Sequence, residues 1–98
     1  MNFADAVEID LEAQIVRRGE EEIKLTPREY AVLAYFLRHA GRLVSDNELL
    51  DNVWGSDAIL GDAAVRTVIS RLRRKLGDDA RQPRYIFTVW GRGYRFNP

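Results

Sequence analysis

Two short runs, T-P-R-E at residues 26–29 and S-D-N-E at residues 45–48, each place a hydroxyl residue three positions before a glutamate, the pattern of a capping box. The hydroxyl takes the amide hydrogen of the third helical residue and the glutamate returns to the cap amide, so two helix starts are pinned. Pro27 at the first helical position strengthens the first. That helix is expected to bury Tyr30, Leu33, Ala34 and Leu37 and to end before Gly41. The second follows an extended GRLV (residues 41–44), turns Leu49, Leu50 and Val53 inward, and reaches Trp54 before Gly55 stops it.

Residues 55–61 read as a loop of small residues with Asp57 its one charge, and a third helix is predicted over residues 62–76. There Val65, Ile69, Leu72 and Leu76 recur at i, i+4, i+7 and i+11, within about 40° of one another at 100° per residue. The same wheel puts Ala63, Thr67, Ser70 and Arg74 opposite the core, Arg66 and Arg73 on one flank and Arg71 on the other.

Strand signals flank the helices. VEID (7–10) and QIVRR (14–18) alternate apolar and polar, EEIKL (21–25) follows a turn at Gly19, and RYIFTV (84–89) and GYRF (93–96) are joined through Trp90, Gly91 and Arg92. The fold class expected is α+β: an N-terminal antiparallel sheet (1–25), a three-helix core (26–76) and a C-terminal β-hairpin (84–97). Ninety-eight residues suffice for one domain with a modest core.

Charge is distributed unevenly along this chain. Residues 1–62 hold thirteen Asp/Glu against six Lys/Arg, a net of −7, and residues 63–98 hold two acids against nine bases, a net of +7. A neutral total and a pI near 6.6 are unlike the usual nucleic-acid binder. Phosphates feel charge only within roughly 8–10 Å, however, and VRTVISRLRRKL (65–76) carries Arg66, Arg71, Arg73, Arg74 and Lys75 with no acid. A helix of about fifteen residues, some 22 Å long, fits a major groove roughly 12 Å wide. Arginines can take phosphates or pair with guanine, Thr67 can meet a thymine methyl, and small Ala63 and Ser70 allow close approach. The hairpin glycines hold Arg92 at a tip able to enter a minor groove.

In LTPREYAVLAYFLRHAGRLVSDNELLDNVWG (25–55), VISRLRRKLGDD (68–79) and PRYIFTVWGRGYRF (83–96) the chain resembles the OmpR/PhoB-type winged-helix DNA-binding domain. The resemblance implies a winged helix-turn-helix with a four-stranded first sheet, a recognition helix (62–76) in the major groove and a wing (88–94) at the minor groove. It gives Trp54 and Thr88 as backbone contacts, Arg73 as a phosphate contact, and Thr67 and Arg71 as base-facing residues. Where the family commonly has D-R-T-V-D-V-H-I this chain has D-A-A-V-R-T-V-I, so Ala63 replaces an arginine, Arg66 an aspartate and Val68 a histidine. With these changes one phosphate contact is expected to be lost and one gained, and the sequence read to differ from the family's usual one; Arg66 can reach either a phosphate or a guanine, and the base is expected because Ala63 leaves room to lean into the groove. With Ser70, Arg74 and Arg92 these residues complete the expected DNA contacts.

The resemblance also implies that the segment before the recognition helix, with Ser56, Asp57, Ala58, Ile59 and Leu60, can touch RNA polymerase, although a loop so poor in side chains also serves as a plain connector. Partners follow in the same way: duplex DNA with direct-repeat half-sites, and a covalently linked receiver or sensor domain, as in two-component phosphorelay regulators. Weak or no self-association is expected of the isolated domain, and no cofactor, metal or small-molecule ligand. Two placements stay open, behind a receiver or at the N-terminus of a longer regulator that can be membrane-anchored; the start at Met1 favours the second slightly. A cytoplasmic, nucleoid-associated location is expected, since there is no cysteine, no apolar run long enough to span a membrane and no signal peptide.

Rival classes have less support. His39, the sole histidine, sits near a helix C-terminus where an imidazolium is electrostatically welcome, and no partner constellation for an enzyme accompanies it. An RNA binder lacks an aromatic RNP strand, and Gly91-x-Gly93 without a βαβ unit is a turn rather than a dinucleotide site. The remaining alternative is a protein-interaction module of a larger signalling protein that has lost DNA binding.

Overall fold

The computed structural model describes residues 2–3 and 7–98; residues 1 and 4–6, which the expected N-terminal sheet also spans, lie outside the described residues. Strands β1 (Asn2–Phe3), β2 (Val7–Asp10), β3 (Ile15–Arg18) and β4 (Glu21–Ile23) form an antiparallel sheet in the order β1-β2-β3-β4. The period of two buries Val7, Ile9, Val16 and Ile23, while Glu8 and Arg17 face each other across the outer surface.

Helix α1 (Pro27–Arg38) begins as the capping box requires. Thr26 Oγ1 accepts from the Glu29 amide at 3.2 Å and the Thr26 amide donates to Glu29 Oε1 at 2.9 Å. Its buried face differs from the expected stripe: Val32, Leu33, Ala34 and Phe36 are buried, and Tyr30 and Leu37 are only partly so. The helix is packed by more than one neighbour, with Phe36 stacked on Phe96 at 5.8 Å, so its apolar arc is wider than one periodic stripe and is rotated from it. Tyr30 lies at the rim, its hydroxyl donating to the Leu11 carbonyl.

Strand β5 (Leu43–Val44) leads into α2 (Asp46–Leu49), where Ser45 Oγ accepts from the Glu48 amide at 3.0 Å. The second box is only half made, because the Glu48 carboxylate turns instead to Arg42 and the Tyr35 hydroxyl. The helix continues as a π-helical turn, Leu50–Trp54, closed by the Gly55 amide donating to the Leu50 carbonyl. The extra residue in that turn brings Trp54, rather than Val53, into the core. The expected loop after it is a 3₁₀ helix, Gly55–Leu60, with Asp57 tied to Arg28 at 2.9 Å.

Helix α3 (Gly61–Leu76) buries Val65, Ile69, Leu72 and Leu76, as its periodicity predicts. It ends in a Schellman closure: the Asp78 amide reaches the Arg73 carbonyl at 2.8 Å and the Gly77 amide reaches that of Arg74 at 3.2 Å. Gly77 has φ +73°, and a Cβ there would stand 1.9 Å from Arg18 Nη1, which donates to the Leu76 carbonyl. The Asp78 carboxylate then accepts from the Arg84 and Ile86 amides and turns the chain back.

Strands β6 (Ile86–Val89) and β7 (Gly93–Phe96) form the expected hairpin, and β5 adds to its other edge in the order β5-β7-β6. Leu43–Val44 of the expected extended GRLV is thus the third strand of the wing sheet. A Cβ on Gly93 would lie 2.2 Å from the Val44 carbonyl oxygen, so this close strand approach, as much as the φ of +140°, requires glycine. Among the described residues no helix is long and apolar enough to cross a membrane.

Candidate nucleic-acid interface

Because α3 turns its apolar stripe inward, Ala63, Arg66, Thr67, Ser70, Arg71 and Arg74 are exposed along its outer side. Arg66, Arg71 and Arg74, with Arg92 on the β6–β7 turn, make no ion pair among the described residues, whereas Arg28, Arg42 and Lys75 are paired to acids. Four cations without an ion pair among the described residues thus lie along one helix face and the hairpin tip. Thr67 Oγ1 donates to the Ala63 carbonyl at 3.0 Å. Its one hydroxyl proton is engaged within the helix, which leaves the side chain lone pairs and a methyl group for an outside contact.

The exposed face is bordered by a depression on each side. Arg66, Ser70, Arg73 and Arg74 share a groove with Thr88, Trp90 and Arg92 of the hairpin. Thr67 and Arg71 share a shallower cleft with Trp54 and Arg28. The two flanks expected from the helical wheel thus face different walls.

Three expected contacts are held inside the protein. Arg73 Nη2 donates to the Ile86 carbonyl and to Thr88 Oγ1, each at 2.8 Å, its Cζ lies 6.0 Å from the Tyr94 ring centre, and its Nε is buried without a hydrogen-bond partner among the described residues. Arg73 and Thr88 therefore bind α3 to the wing. Trp54 is only 4% exposed and joins the core, with the Arg28 guanidinium 4.8 Å from its ring centre.

Acidic groups bound the wing-side groove. Burial, and then the charge of Asp62, hold the Asp46 carboxyl above its ordinary range, partly offset by Arg66. Burial followed by the charge of Asp46 raises the Tyr94 phenol. A negative corner beside Arg66 disfavours a phosphate there and leaves the basic outer face as the better position for one.

The segment with Ser56, Asp57, Ala58, Ile59 and Leu60 is the 3₁₀ helix, where Ile59 is 92% and Leu60 61% exposed. His39 caps α1, packed on Tyr35 at 4.4 Å, and is outside both depressions. Sequence reasoning did not select Trp90, which is 89% exposed beside Arg92; its place one residue beyond the Val89 strand end was the available signal. It also did not select Arg28, because a basic residue in a first helical turn usually signifies no more than a solvated end.

A three-helix core, an exposed basic third helix and a β-hairpin beside it define a winged-helix domain. The profile described as "Transcriptional regulatory protein, C terminal" matches residues 19–96. The chain belongs to that family, the OmpR/PhoB-type DNA-binding domains, which is a family of transcriptional regulators and not of enzymes. The KDP operon transcriptional regulatory protein KdpE of Escherichia coli (strain K12) is 42% identical over 96 residues, covering 98% of this chain and 42% of that protein. The transcriptional regulator HilA of Salmonella typhi is 48% identical over 80 residues, 82% of this chain and 14% of that protein. The chain thus spans less than half the length of these curated relatives. Its fold is similar to the Klebsiella pneumoniae RstA DNA-binding domain in complex with RstA box, with TM-score 0.88 and 35% identity over all of this chain and 96% of the other.

Proposed function

We propose that this domain binds duplex DNA sequence-specifically in transcription regulation, with α3 in the major groove and the hairpin tip at the minor groove. The observation that carries this reading is the gathering of Arg66, Arg71, Arg74 and Arg92, none of them ion-paired among the described residues, on one face of a winged-helix fold. Thr67, Arg71 and Arg66 face base edges; Ser70 permits close approach; Arg74 takes phosphates; Arg92 enters the minor groove. Arg73 and Thr88 act by fixing the wing, and Trp54 acts through an indole N–H at the shallower cleft.

The domain serves as the effector of a longer cytoplasmic, nucleoid-associated regulator, linked to a receiver or sensor domain, with two copies head-to-tail on direct repeats. Exposed Ile59 and Leu60 support a protein contact of the 3₁₀ segment, with RNA polymerase as the partner. Selection from a random duplex pool, followed by footprinting and titration at several salt concentrations, tests the reading. One enriched motif in direct repeats and an affinity falling steeply with salt are expected. Affinity insensitive to salt, with no enriched motif, overturns it, and footprints on inverted repeats overturn the head-to-tail arrangement.

A further inference from the structure

Arg28, the second residue of α1, lies outside both the recognition helix and the wing. Its Nη2 bonds Asp57 Oδ2 at 2.9 Å, and its guanidinium stands 4.8 Å from the Trp54 ring centre. Its side chain is 32% exposed and that of Asp57 57%, and Arg28 lines the same shallow cleft as Thr67 and Arg71.

We propose that Arg28 is a further DNA-backbone contact, and that a phosphate replaces Asp57 as its anion when duplex binds; this rests on the duplex-binding reading above. The cleft borders the α3 flank opposite the wing, where the second wall of a major groove passes once α3 enters it. Contact with the Trp54 ring fixes the guanidinium plane, so Arg28 is presented in one orientation instead of as a free chain. Five N–H donors serve the group and Asp57 takes one of them, leaving donors for an incoming oxygen. An exposed carboxylate pair in water is weakly held, whereas a phosphate at this place is brought by all the other contacts and releases condensed counterions. Asp57 holds Arg28 ready in the free domain and yields it in the complex.

Anisotropy titrations of a labelled duplex carrying the selected site, over a range of salt, test the exchange with wild type, Arg28→Ala, Asp57→Asn and the double variant, each checked by circular dichroism. Arg28→Ala is expected to weaken binding about 5- to 10-fold and to reduce the salt slope by about one. Asp57→Asn is expected to tighten binding about 2- to 5-fold when Arg28 is present and to have no effect without it. Should Arg28→Ala not fold, Arg28→Gln, which keeps a stem over Trp54, takes its place. Unchanged affinity and slope on loss of Arg28 overturn the proposal. So does a gain from Asp57→Asn of equal size in both backgrounds, which signifies only removal of an acid. Failure of the wild type to bind duplex overturns the underlying reading instead.

Discussion

Arg73 on α3 and Thr88 on β6, fifteen residues apart, share a hydrogen bond of 2.8 Å, and the same Arg73 nitrogen bonds the Ile86 carbonyl at 2.8 Å. The wing is thereby fastened to the recognition helix from its inner side. On the proposed reading, a guanidinium so engaged, with Nε buried, would contribute to binding first by setting the angle between α3 and the wing. Arg73→Ala is expected to cost about 1.5–3 kcal/mol of stability by removing charge-assisted bonds. It is also expected to weaken DNA binding on all sequences alike. Urea unfolding together with duplex titration checks both; full stability with reduced affinity would show that Arg73 serves phosphate alone.

Trp54 combines core packing with a polar handle. Trp54→Ala removes a ring that is 4% exposed and is expected to cost about 3–5 kcal/mol. Trp54→Phe keeps an aromatic platform under Arg28 and deletes the indole N–H; a stability cost below about 1.5 kcal/mol and a loss of DNA affinity of about 2- to 10-fold are expected. Thermal melts and binding isotherms of the two variants separate the roles. Intact affinity in Trp54→Phe would assign the residue to the core alone.

Acid is expected to unfold the domain partly through Glu29. Burial pushes its carboxyl up, but the Lys75 hydrogen bond at 2.6 Å and the Thr26 contacts outweigh burial, and the net position is below the ordinary 4.5. Glu48 is likewise lowered, chiefly by Arg42. A carboxylate depressed by folding contributes stability present above its unfolded value and lost as pH falls through its folded value. The melting temperature is therefore expected to hold from pH 7 to about 5.5 and to drop below 4.5, with a shallower drop in Glu29→Gln. Equal drops in both proteins would remove Glu29 from the explanation.

The features legible in the sequence were those decided within one or two turns of chain. The Thr26–Glu29 box and the stripe of Val65, Ile69, Leu72 and Leu76 depend on neighbours three to eleven residues away, and both stand in the structure. The half-made box at Ser45 shows the limit, since Glu48 had better partners in Arg42 and Tyr35 than its own cap amide. The π-helical turn that buries Trp54 leaves no periodic trace in a segment of nine residues. Long-range bonds were invisible for the same reason: Arg18 closes α3 from 58 residues away, and Lys75 reads as one more base on a basic helix until α1 packs beside it. The exposed face of α3 and the division of its flanks were legible and the internal partners of Arg73 were not, because exposure follows from periodicity while partnership follows from topology.

The central claim, that the outer face of α3 and the hairpin tip meet duplex DNA, is tested most directly by following backbone amide resonances as the selected duplex is added. Shifts are expected at Ala63, Thr67, Ser70, Arg71 and Arg74 and at Gly91 and Arg92, with β2, β3 and β4 undisturbed. Shifts confined to that first sheet or to Ile59 and Leu60, with α3 silent, would contradict the claim.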